Sequence, residues 1–174
     1  MSEVHSGIRE IRPVDVTELV AMIYELAEYE RQPQDCHVTV DQLQAALFGA
    51  SPALFGLIAE QDGQPVGYAL WFLNFSTWEG VHGIYLEDLY VRPAARGSGL
   101  GKALLTRLID IAAERDYARV EWSVLDWNEP SIAFYRSLGA VPMDGWSTFR
   151  LTMPTAAGAV SVTAAPDAPS PAIE

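Results

Sequence analysis

The chain has 174 residues, 49% of them hydrophobic, and a formal net charge of −12. That length and apolar content support one domain with a buried core, while so acidic a surface disfavours nucleic acid and anionic membranes, which gain no counterion release from it. No apolar run reaches the ~18–20 residues that span a bilayer, residues 1–10 lack the apolar core of a signal peptide, and Cys36, the only cysteine, excludes an intrachain disulfide and fits a cytoplasmic location.

Residues 8–12 alternate apolar and polar and predict a short first strand. Asp15 and Glu18 have the spacing of a capping box, ahead of Leu19, Val20, Ile23, Leu26 and Ala27 at helical spacing. Thr39 and Gln42 predict a second cap, with Leu43, Ala46 and Leu47 on the inner side of the helix. Residues 54–60 and 65–73 read as strands joined by Asp62-Gly63, a hairpin turn signal. Residues 83–91 read as a further strand.

Residues 99–115 form the clearest helix, with Leu100, Ala103, Leu104, Leu108, Ile111 and Ala112 along one face. Residues 119–125 alternate strictly and predict a strand. Pro130 suits the first turn of a helix ending near Leu138, with Gly139 as its stop. Residues 146–153 read as a last strand. From residue 154 Ala, Pro, Ser, Val and Gly dominate and periodicity is lost, so residues 154–174 are expected to be a disordered tail behind a single domain of residues 1–153. The element order predicts a mixed α/β fold with helices on the faces of a sheet.

The most informative segment is LEDLYVRPAARGSGLGKALL, residues 86–105. A strand ends, a loop follows, and Gly97, Gly99 and Gly101 lead into a helix. Unpaired first-turn N–H groups and the helix dipole make such a turn an anion site. No carboxylate lies between Asp88 and Asp110, whereas Arg92, Arg96, Lys102 and Arg107 do, a basic island suited to a pyrophosphate. A Walker A loop does not fit, because Arg96 stands at its first glycine and Ala103 follows Lys102. The glycine spacing also differs from a dinucleotide fingerprint.

Arg96-Gly97-Ser98-Gly99-Leu100-Gly101 resembles the R/Q-x-x-G-x-G/A signature of the GNAT acetyltransferases. Asn128-Glu129-Pro130-Ser131 through Phe134-Tyr135 and Leu138-Gly139 is similar to that family's second block. The resemblance implies the GNAT acyl-CoA N-acyltransferase fold, a mostly antiparallel central sheet with helices on both faces. It implies acetyl-CoA as co-substrate, its pyrophosphate held by the backbone amides of Arg96, Gly97, Ser98, Gly99, Leu100, Gly101 and Lys102. The coenzyme's pantetheine arm would pair with Leu89, Tyr90 and Val91 like an added strand, and Asn128 would contact that arm.

Direct acetyl transfer to an amine needs a base, an oxyanion donor and an acid. Glu87 is the candidate base, acting through water, and Asp88 is the candidate for binding the amine. Adjacent strand residues face opposite sides unless a bulge re-aims one of them, and the family carries a bulge there. Tyr135 is the expected acid for the leaving thiolate, since a phenol with pKa about 10 stays protonated at neutral pH. His5, His37 and His82 show no ligand spacing, so no metal is expected.

The strings ELAEYE (residues 25–30), YLED (85–88) and DWN (126–128), together with Trp78 and Trp146, resemble the diamine (spermidine/spermine) branch of the family. That resemblance implies substrate contacts at Glu28, Tyr29, Glu30, Trp78, Glu87, Asp88 and Trp146, and a homodimer. Polyamine-acetylating members carry an acid two places before Trp78, where this chain has Ser76. With Leu125-Asp126-Trp127-Asn128, that departure resembles the thialysine branch and points to a short amine rather than spermine. Competing readings are a protein N-terminal or lysine acetyltransferase, a non-catalytic acyl-CoA sensor, which retention of both Glu87 and Tyr135 opposes, and an unrelated nucleotide-binding module.

Overall fold

The structure, a computed structural model, describes residues 7–153. The tail expected from residue 154 lies outside the described residues. The chain divides into two compact units between Leu125 and Asp126.

In the first unit, strand β1 (Ile8–Glu10) leads through a 3-10 turn (Pro13–Asp15) into helix α1 (Val16–Tyr29), followed by α2 (Val40–Phe48). Strands β2 (Phe55–Gln61), β3 (Gln64–Ser76) and β4 (Val81–Val91) follow, then helix α3 (Leu100–Glu114) and strand β5 (Val120–Glu121). The sheet order is β1-β2-β3-β4-β5. Neighbours are antiparallel except β4 and β5, which run parallel. This is the expected mixed, mostly antiparallel α/β arrangement.

Local chemistry accounts for the element ends. Thr39 and Gln42 form the reciprocal capping box of α2, each side chain bonding the other's backbone N–H. Asp62 and Gly63 both have positive φ, 52° and 75°. They close a two-residue hairpin that pairs Gln61 with Gln64. Asp15 and Glu18 do not form the expected capping box. Pro13 starts the chain turning one turn early, and the Asp15 carboxylate reaches back to the Arg12 N–H at 2.7 Å and to the Arg9 guanidinium.

Tyr68, Leu70, Ile58 and Tyr90 cover one face of the sheet, under Val16, Leu19 and Met22 of α1 and Leu43 and Leu47 of α2. Pleat alternation turns the buried Leu57, Ala59 and Ala69 to the opposite face. Helix α3 packs there with Leu104, Leu105 and Leu108 inward.

Two expected strands are corrected. The strand at 119–125 shrinks to Val120–Glu121, which pairs only with Ile84 and Tyr85. Beyond them a bulge breaks the regular spacing of the β4 edge. Residues 146–153 form no strand. Their alternation meets no partner among the described residues, and Trp146, Phe149, Leu151 and Met153 are all exposed. In the second unit, α4 (Glu129–Ser137) is capped by Asn128, whose side-chain oxygen accepts from the Ser131 N–H. Gly139, at φ 87°, follows its end.

Candidate active site

Gly97 and Gly99 adopt φ 80° and 87°, where L side chains are strained, and a Cβ built at either meets nothing within 4 Å. Bare backbone therefore faces open space. Gly99 is the N-cap of α3 and offers no side-chain cap, unlike Thr39 on α2 and Asn128 on α4. The first α3 amides, at Leu100, Gly101 and Lys102, are left to an outside acceptor at the positive end of the helix dipole. An anionic group fits this turn.

The turn is braced from behind. The Ser98 hydroxyl donates to the Ala95 carbonyl at 2.6 Å, and the Arg96 Nε donates to the Val91 carbonyl at 2.9 Å. The Arg96 guanidinium lies 5.0 Å from the Tyr29 ring centroid and 5.8 Å from that of Tyr90, ordinary cation–π distances. Two cations of the basic island are engaged within the fold. Arg92 is held by Glu18 and Glu25, and Arg107 by Glu114. Lys102, on the first turn of α3, is exposed.

Leu89, Tyr90 and Val91 pair on one side with Ala69, Tyr68 and Gly67. On the other side β5 has already ended, so among the described residues no strand covers that edge of β4. An extended ligand arm has room to add there as a strand would.

The ladder between β3 and β4 steps from Leu70↔Asp88 to Trp71↔Leu86, leaving Glu87 as the extra residue of a bulge. The bulge reverses the pleat. Ile84 and Leu86 face α3 with Leu73 and Trp71, whereas Asp88 and Tyr90 face α1 with Leu70 and Tyr68. Glu87 itself is exposed and Asp88 half-buried.

Asp88 meets an unusual environment. The hydroxyl of Tyr68, a fully buried side chain, donates to it at 3.5 Å. Burial, then the negative charges of Glu87 and Glu30, push the Asp88 carboxyl up to about 7, with the Tyr68 hydrogen bond opposing. Glu30, at the C-cap of α1, is itself raised by burial. Burial, reinforced by the neighbouring carboxylates, drives the Tyr68 phenol well above its usual range. Further along the same face the Tyr90 hydroxyl donates to Glu25, whose carboxyl is held low by Arg92.

The structure thus brings Glu30, Glu87 and Asp88 together, and sets Tyr29 against the glycine turn through Arg96. Glu28 is exposed on α1, and Trp78 is 88% exposed between β3 and β4. Ser76 is buried, its hydroxyl accepting from the Glu79 N–H of that turn. In the second unit Asn128 is buried, Tyr135 is half-buried against the Phe134 ring at 5.4 Å, and Trp146 is exposed. Sequence reading missed Tyr68. The signal was present, since a tyrosine inside an apolar central strand must find a partner for its hydroxyl.

Glycine turn, open β4 edge and bulge together define an acyl-CoA-dependent transferase fold. The profile described as "Acetyltransferase (GNAT) family" matches residues 18–140, and the chain belongs to that family. It is an acetyltransferase, and enzymes of this family use acetyl-CoA. The chain is 36% identical over 154 residues to the thialysine N-epsilon-acetyltransferase of Bos taurus, covering 82% of this chain and 90% of that one. It is 35% identical over 144 residues to the Caenorhabditis elegans protein of the same name, covering 81% and 88%. Among solved structures, a V. cholerae integron cassette protein superposes with a TM-score of 0.70 at 24% identity, covering 83% of this chain and 91% of that one. Among the described residues no helix is long and apolar enough to cross a membrane, and no group of three or more His, Cys, Asp or Glu side chains is placed to hold a metal ion.

Proposed function

We propose that this enzyme transfers the acetyl group of acetyl-CoA directly to a small primary amine: thialysine, a lysine analogue or a short diamine. The observation that carries the reading is the carboxylate group of Glu30, Glu87 and Asp88 at the β4 bulge, suited to an ammonium group. The thialysine relatives support it. Ser76 at the position of an acid in polyamine-acetylating enzymes favours a short substrate over spermine, and the Ser76 hydroxyl is already engaged in its own turn.

In this reading the amides of Arg96 to Lys102 hold the coenzyme pyrophosphate, and Leu89 to Val91 pair with its pantetheine arm. Tyr135 is the acid for the departing thiolate, and Asn128 contacts the coenzyme arm. Tyr29, Glu28, Trp78 and Trp146 complete the substrate contacts. A cytoplasmic homodimer accompanies the reading, and light scattering checks the dimer. The deciding experiment is initial-rate acetylation of thialysine, lysine, putrescine, spermidine, spermine and a lysine-containing peptide. Highest kcat/KM is expected for thialysine or the short diamine. Preference for spermine or the peptide, or coenzyme binding without turnover of any amine, overturns the proposal.

A further inference from the structure

We propose that the Arg96 side chain is a specificity-determining anchor for a carboxylate on the acceptor, so that an amino acid with a terminal amine is preferred over a diamine. The inference rests on the small-amine reading above and concerns the end of the acceptor that does not react.

Arg96 carries more donors than the fold uses. A guanidinium has N–H groups on all three of its nitrogens. The Arg96 Nε donates to the Val91 carbonyl at 2.9 Å, but among the described residues no acceptor bonds to the two terminal nitrogens, and no carboxylate pairs with them. The side chain is nevertheless held. The Nε bond and the rings of Tyr29 and Tyr90, at 5.0 and 5.8 Å, fix its plane, so little rotamer freedom remains to be lost when an acceptor arrives. It is also turned away from the end of α3, because nothing, Arg96 included, lies within 4 Å of a Cβ built on Gly99. The guanidinium lies instead over Tyr29, the last residue of α1, with Glu30 next in the chain.

The charges around it form two separate parts. Glu30, Glu87 and Asp88 make the negative part, and no cation acts on the carboxyl of Glu30 or Asp88. Arg92 is committed to Glu18 and Glu25, which leaves Arg96 as an unpaired positive part. Asp88 and Tyr90 lie two residues apart on one face of β4, about 6.8 Å along the strand, and Arg96 sits beside Tyr90. An extended lysine-like chain separates its terminal nitrogen from its carboxylate carbon by about 7–8 Å. With the reacting amine among the three acids, the far carboxylate reaches the guanidinium, whose planar fork matches it in two parallel bonds. A diamine of the same length would bring a second ammonium to that guanidinium, and like charges repel.

The test is the ratio of kcat/KM for lysine to that for cadaverine, which differs from lysine only in lacking the carboxylate, at saturating acetyl-CoA. Thialysine and its decarboxylated analogue make a second pair. The ratio is internal to each enzyme, so a loss of folded protein or of coenzyme affinity cancels from it. The wild-type enzyme is expected to favour the amino acid in both pairs. Arg96→Gln is expected to lower the ratio by roughly 10–100-fold, the worth of a charge-assisted pair of hydrogen bonds, chiefly by raising KM for the amino acid. Arg96→Lys keeps the charge but not the fork and is expected to fall between the two. Arg31→Gln, which removes a positive charge next to Glu30 in the chain, is expected to leave the ratio near that of wild type. A wild-type preference for the diamines, an unchanged ratio in Arg96→Gln, or an equal collapse in Arg31→Gln overturns the anchor while leaving amine acetylation standing. An unchanged ratio together with weakened coenzyme A binding would assign the guanidinium to the coenzyme instead. A wild-type enzyme that acetylates no amine overturns both readings.

Discussion

Asp15 and Asp88 are both withdrawn from bulk water, and the fold treats them in opposite ways. Asp15 is 5% exposed. It accepts from both terminal nitrogens of Arg9, at 2.6 and 2.8 Å, and from the Arg12 N–H. These bonds, Arg9 first, hold its carboxyl down to about 2. Asp88 has one long hydrogen bond, two acidic neighbours and a carboxyl pushed up to about 7. A carboxylate that meets its cation inside the protein is a latch, here fastening β1 to the entry of α1. One left among like charges holds its proton loosely at neutral pH and is available for chemistry.

The signs of their pH linkage also differ. The folded value of Asp15 lies below its ordinary 3.8, so its stabilisation is present above about pH 4 and is lost as pH falls toward 2. The folded value of Asp88 lies above its ordinary 3.8, so stability is lost as pH rises through about 7.

The largest expected effect is on turnover. Tyr135→Phe removes one hydroxyl and little volume, so kcat is expected to fall by roughly 10²–10⁴-fold with the melting temperature and amine KM nearly unchanged. A stable variant with wild-type kcat would remove Tyr135 from the mechanism.

Next comes the latch. Asp15→Asn leaves Arg9 and Arg12 facing a neutral group, and is expected to cost about 3 kcal/mol. For a chain of this size that is a fall of about 6–12 °C in melting temperature, with turnover of the folded fraction intact. Asp88→Asn should do the reverse to stability, raising the melting temperature at pH 8 and leaving it nearly unchanged at pH 4. Thermal melts of both variants at the two pH values check the pair, and equal shifts would erase the contrast.

The two helix ends make a smaller version of the same contrast. Gly99→Glu puts bulk and negative charge at the open end of α3, and is expected to abolish thermal protection by coenzyme A. Thr39→Ala removes the closed cap of α2, costs about 1 kcal/mol and leaves that protection in place. Smallest of all, deleting residues 154–174 is expected to leave melting temperature and turnover unchanged.

These contrasts also mark how far the sequence is legible. The α2 cap and the β2–β3 hairpin could be read because both are local, set by side chains three residues apart or by a two-residue turn. The glycine turn could be read for the same reason. Asp15 misled because its partner Arg9 sits on a different element, and a long-range ion pair outcompeted the local cap. Residues 146–153 misled because alternation supplies a pattern but not a partner strand. Glu87 and Asp88 were visible as a pair, but their division of labour depends on the register shift against Leu70 and Trp71. Tyr68, twenty positions away, acquires its meaning only when β3 and β4 are laid side by side.

The most direct measurement is the side-chain carboxyl titration of Asp15 and Asp88 by carbon-13 NMR in one sample of the free enzyme. The account predicts a midpoint near 7 for Asp88 and near 2 for Asp15. An Asp88 midpoint below about 5, within the ordinary carboxylate range, would contradict it.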